Sequence, residues 1–102
     1  MREYDLFIPL RYNDGTAIEP VKLKVLQARL LEFSNGVTYF PQPSQGLWRA
    51  AGVVYGDEIV IFRVVTEKVR SARQFLRQLK EELKSSLQQE EIFIIERNVE
   101  QI

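Results

Sequence analysis

The chain contains no cysteine and no histidine. The first absence removes disulfides, thiolate metal sites and cysteine nucleophiles, and the second removes the usual general base near neutral pH and the commonest metal ligand. Triad hydrolysis is disfavoured, because Ser44, Ser85 and Ser86 have no histidine to activate them. Neither sign of charge is in excess: 14 basic and 14 acidic residues balance, so no global field draws the protein towards nucleic acid or an anionic membrane. No apolar run reaches bilayer-spanning length, and Met1 to Leu10 alternates apolar with polar residues where a signal peptide would have a continuous apolar core. A cytoplasmic location with no membrane contact is expected. No glycine-rich phosphate loop is present, and Glu90, Glu91, Glu96 and Glu100 show no spacing that converges on a hard cation. Neither a cofactor nor a metal is expected.

With 102 residues, 45% of them apolar, the chain has material for one core and predicts a single domain over residues 1–102. Tyr4, Leu6, Ile8, Leu10 and Tyr12 fall at every second position, the period of a strand with one buried face, and Asn13, Asp14 and Gly15 then supply turn chemistry. Pro20 suits a first helical position, and Leu23, Leu26, Leu30 and Phe33 predict a helix over 20–33 that stops at Asn35 and Gly36. Val37 to Tyr55 predicts a second strand, broken or bulged by Pro41, Pro43 and Gly46. Gly56 and Asp57 predict a tight turn into a third strand ending at Val65, with Thr66 as the cap of a second helix striped by Val69, Ala72, Leu76, Leu79 and Leu83. Ile92 to Ile95 predict a last strand.

The order strand, helix, strand, strand, helix, strand is the split βαβ arrangement, with both crossover helices on one face of a four-stranded antiparallel sheet. It resembles the ferredoxin-like superfold, an α+β sandwich that hosts many unrelated functions. The Gly46-Leu47-Trp48 segment, with Gly52 following, is similar to small bacterial domains of this architecture whose function is unknown. No catalytic residue travels with either resemblance.

Such a sheet leaves one face bare. If Leu6, Ile8 and Leu10 face the helices, parity sends Asp5, Phe7, Pro9 and Arg11 outward, together with Ile59, Ile61, Arg63 and Val65. Strand four is ambiguous by parity; with Phe93, Ile95 and Arg97 outward, an apolar patch forms beside Arg11, Arg63 and Arg97. The default expectation is a homodimer that covers the patch. The sharper one is a pocket in which arginine forks hold a small anionic or aromatic ligand on an apolar floor.

Two other features stand out. Arg70, Arg73, Arg77, Lys80 and Lys84 share a flank of helix two and form a candidate anion or nucleic-acid contact. The neutral total charge, Glu81 and Glu82 alongside, and the lack of the aromatic signature of RNA-recognition sheets favour a merely solvated flank. Trp48, the sole tryptophan, with Arg49 and Tyr39 either anchors the core or an interface, or frames a ligand. The functional expectation is a non-catalytic domain that dimerises or binds a partner or ligand. The alternative is a small cofactor-free enzyme resembling the dimeric α+β barrel type, with Trp48, Arg49 and Arg63 as the residues to test. Nucleic-acid binding through the helix-two flank ranks third.

Overall fold

A computed structural model describes all residues, Met1 to Ile102. The elements are β1 (Arg2–Pro9), α1 (Pro20–Ser34), β2 (Thr38–Ala50), β3 (Val53–Thr66), α2 (Val69–Ser86) and β4 (Phe93–Asn98). The strands form one sheet in the order β2-β3-β1-β4 with every neighbouring pair antiparallel. This is the ferredoxin-like fold. No helix is long and apolar enough to cross a membrane.

The core lies on one side of the sheet, where Tyr4, Leu6 and Ile8 of β1 and Val60, Phe62 and Val64 of β3 meet Leu26 and Leu30 of α1 and Ala72, Leu76, Leu79 and Leu83 of α2. Tyr39 stacks on Phe62 with ring centroids 4.6 Å apart, and Phe33 stacks on Phe75 at 4.5 Å, so aromatic pairs seal the α1 side. Proline at the start of α1 costs no hydrogen bond there. Asn35, at φ 60°, ends α1 in the left-handed conformation and donates its backbone N–H to the Leu31 carbonyl oxygen.

Four boundaries differ from the sequence expectation. β1 stops at Pro9, because the chain then folds into a small hairpin in which Arg11 bridges Ala17 and Asp14 Oδ1 accepts from the Thr16 N–H and hydroxyl. That hairpin seats Ile18 in the core. The β2–β3 turn lies at Ala51-Gly52, both at positive φ (51° and 79°), the twist that two-residue hairpins favour. Gly56 and Asp57, the more conspicuous turn pair in the sequence, instead lie within β3, where a Cβ on Gly56 would come 3.2 Å from Leu47 Cδ2. Thr66 does not cap α2: its hydroxyl accepts the Lys68 N–H, and the helix starts one residue further on. Finally, β4 runs to Asn98, beyond the apolar run that announced it.

β2 holds its expected irregularity. Phe40 pairs with Ile61 and Ser44 with Ile59, so Pro41, Gln42 and Pro43 together oppose the single residue Val60. A bulge on an edge strand is where two prolines, each lacking an N–H, can be accommodated. β1 accompanies β3 only as far as Ile59. Beyond that level β2 and β3 continue alone as a two-stranded arm that ends at the Ala51-Gly52 turn.

Candidate functional site

The register settles which residues share the bare face. In one row across the sheet lie Phe40, Ile61, Phe7 and Phe93; in the next lie Thr38, Arg63, Asp5 and Ile95; beyond them Val65, Glu3 and Arg97 complete the face. β4 therefore presents Phe93, Ile95 and Arg97 on the same side as Phe7 and Arg63. Phe7 and Phe93 meet with centroids 5.6 Å apart in a tilted arrangement, and Phe93 stays largely exposed.

Within this face sits a compact charge cluster. Asp5, only 2% exposed, accepts two parallel hydrogen bonds from Arg63, Nε to Oδ1 at 2.7 Å and Nη2 to Oδ2 at 3.0 Å. Arg97 Nη1 donates to Asp5 Oδ2 at 3.0 Å and to Glu3 Oε2 at 3.1 Å, while Glu3 Oε1 lies 3.2 Å from Arg63 Nε. The cross-strand positions cause this: Asp5 stands directly opposite Arg63, and Glu3 directly opposite Arg97. Arg63's hydrogen bonds hold the Asp5 carboxyl below its ordinary range against the opposing effect of burial, and the same pair raises Arg63. Arg63 also lies over the Phe40 ring, 5.0 Å from its centroid. Two acids and two arginines leave the cluster neutral. The acids lie underneath and the guanidinium groups outermost, with side-chain exposures of 34% for Arg63 and 44% for Arg97.

Arg11 does not join them. It lies past the end of β1, donates to the Gly15 carbonyl oxygen at 3.1 Å and stands 3.9 Å from Glu58. Trp48, Arg49 and Tyr39 do not converge either. Trp48 pairs with Tyr55 far out on the arm and stacks on it at 4.7 Å, its indole N–H donating to Asp57 Oδ2 at 3.1 Å. Arg49, the next residue along, is on the opposite face, and Tyr39 is packed against the core. Trp48, Tyr55 and Asp57 continue the bare face outward from Ile59, because β3 keeps its alternation unbroken from Val53 to Val65.

On the helix side, the α2 flank is largely neutralised. Arg73 forks onto Glu96 at 2.7 and 2.8 Å, Lys80 pairs with Glu91 at 2.9 Å, and Lys84 lies 3.5 Å from Glu81. Arg70 and Arg77 are the members of the flank outside ion pairs. Glu96 also accepts the Tyr4 hydroxyl at 2.7 Å; with Arg73 as the main cause its carboxyl falls from 4.5 to about 2. Burial, reinforced by Glu96, pushes the Tyr4 hydroxyl up to about 12. Arg73, Arg77, Lys80, Tyr4 and Glu96 rim a shallow cleft of about 200 Å³, and a second cleft of about 290 Å³ lies between α1 and α2 over Leu26 and Leu83. No group of three or more carboxylates is placed to hold a metal ion.

Sequence reasoning placed Asp5 on the bare face without giving it a role, and missed Glu3, Phe40 and Tyr55. The available signal was parity across strands: acids at positions 3 and 5 and arginines at 63 and 97 all carry the outward parity of their strands. Phe40 and Tyr55 were hidden because the prolines of β2 left no alternation to read there and the turn was placed after Tyr55 instead of before Val53.

No family model and no curated protein matches this chain. Among solved structures, the chain is similar to a phage SAM lyase in complex with S-methyl-5'-thioadenosine, with a TM-score of 0.66 at 10% sequence identity, covering 95% of this chain and 80% of that one. At that identity the likeness is one of fold.

Proposed function

We propose that this chain is a homodimerising domain without catalysis of its own, whose bare sheet face is the subunit interface. The observation that carries the proposal is the row Phe40, Ile61, Phe7 and Phe93, set beside charges that already satisfy one another. Phe40, Trp48, Tyr55 and Phe93 each leave between 39% and 60% of their surface exposed. At about 150 to 250 Å² per aromatic side chain, these four expose on the order of 400 Å² together. Val53, Val65 and the half-buried Phe7, Ile59, Ile61 and Ile95 bring the face towards the ~800 Å² per partner of a standard stable interface. A patch of that extent is large for an isolated monomer. The neutral cluster supports the same reading, since Asp5 and Glu3 already offset the charge of both arginines and leave no net positive charge to draw in a free anion.

Light scattering on a size-exclusion column across a range of concentrations tests it. A dimer is expected for the natural chain, and Phe93→Glu, on an exposed ring, is expected to weaken dimerisation at least about tenfold by placing an unpaired charge in the apolar row. A mass of 12.0 kDa at every concentration would overturn the proposal.

A second reading takes its support from the shared fold. The similar solved structure is a SAM lyase bound to S-methyl-5'-thioadenosine, so a nucleoside thioether is the first ligand to try between paired sheets. This is the small cofactor-free enzyme alternative, with Trp48 and Arg63 as test residues; Arg49, on the opposite face, drops out of it. Calorimetric titration with S-methyl-5'-thioadenosine decides it: saturable heat that Trp48→Ala removes would support a ligand site, and no heat would leave the dimer reading alone.

A further inference from the structure

The β2–β3 arm poses a physical problem in a lone chain. Past Glu58, whose carbonyl oxygen accepts the Leu10 N–H, it has neither β1 beside it nor a helix on either face, and two strands without further packing are marginal in water. Yet the arm carries the sole tryptophan, a stacked Trp48–Tyr55 pair and an exposed Val53, all on the extension of the bare face.

We infer that the arm clasps a second copy of this chain, lying across the bare face of the partner's sheet while the partner's arm lies across its own. The inference rests on the homodimer reading and specifies its geometry: facing sheets related by a two-fold axis that passes between Ile59 and Ile61, with strand directions reversed.

Three observations carry it. The first is length. From Val53 to Ile59 the arm spans about 20 Å and from Ile61 to Thr66 the body of β3 spans about 17 Å, at about 3.3 Å per residue. A two-fold axis at that level superposes arm on body with little overhang in either direction. The second is charge. Asp57 is the one charged residue on the arm's continuation of the bare face, and the outermost charges of the body are the guanidinium groups of Arg63 and Arg97. The same axis sets Asp57 opposite Arg63 of the second copy and Tyr55 opposite Val65. The indole N–H takes only Oδ2 of Asp57, so Oδ1 can accept from the incoming guanidinium. The third is continuity: Ile59 and Ile61 link the two halves of the face without a change of parity, so one interface covers both.

The absence of native cysteine makes a direct test clean. Tyr55→Cys and Val65→Cys lie on exposed positions of the same face. Facing sheets are ~10 Å apart, beyond the reach of a disulfide, so the probe is a short bismaleimide. The two variants are mixed from mild urea to allow subunit exchange, cross-linked, and separated on a denaturing gel, with light scattering on the same samples. Efficient cross-linking in the mixture and little in Tyr55→Cys alone is the expected result. A dimeric mass with no arm-to-body cross-link, or with strong cross-linking of Tyr55→Cys to itself, overturns the clasp and leaves the dimer standing. A monomeric mass throughout overturns both.

Discussion

The two halves of the β2–β3 ladder are built from similar residues and live in different surroundings. Near its base, Tyr39 and Phe62 stack under α1 and Phe62 is wholly buried. Near its tip, Trp48 and Tyr55 stack in much the same way with about half of each ring in contact with solvent. The pairing is alike and the burial is not. Strand propensity and cross-strand aromatic contact are local properties, whereas the large stabilisation comes from water excluded by a second layer, which only the base possesses.

The largest expected break in this comparison is Phe62→Ala, which empties the middle of the core and should cost about 3 to 5 kcal/mol of stability in urea denaturation. Second is Asp5→Ala. It removes charge-assisted hydrogen bonds from both arginines, but these are partly solvated and can be rehydrated, so a loss of about 2 kcal/mol is expected. Acid should act in the same direction more gradually. Glu96 in the folded chain keeps its charge down to about 2, whereas the unfolded chain takes up the proton near the ordinary 4.5, so the unfolded state binds more protons between those values. Stability therefore falls as the pH drops through that window, Asp5 adding to the slope in the same sense, and Glu96→Gln should flatten it in urea titrations at successive pH values. The smallest effect is expected on the arm. Tyr55→Ala, measured at concentrations too low for association, should cost less than about 1 kcal/mol, the worth of a cross-strand pair without burial. A loss comparable to that of Phe62→Ala would show that the arm belongs to the core's cooperative unit.

Much of the body was legible in the sequence because it obeys simple periods. Alternation in β1, the 3.6-residue stripe of α2 and the Asn35-Gly36 stop each report a local requirement that the residues nearby can satisfy. The arm was not legible, and the reason is again local. Gly56-Asp57 is a stronger turn signal than Ala51-Gly52, yet glycine at position 56 serves the approach of Leu47 across the ladder, a contact that depends on which residues pair. The Asp5 cluster was half legible: parity put its arginines on one face, but the pairing of Asp5 with Arg63 and of Glu3 with Arg97 required the register. Ile18 reached the core unannounced, because the hairpin that seats it arises from Asp14 and Thr16 side chains and not from an apolar period.

The position of the lone indole gives the molecule a built-in optical label. Tyr4, Tyr12 and Tyr39 belong to the body, Tyr55 stacks on Trp48, and every photon of tryptophan emission originates on the arm. The wavelength and collisional quenching of that emission thus read the solvation of one hairpin tip without interference from the folded core. Arm and body can be followed separately, in one unlabelled sample, as either is perturbed.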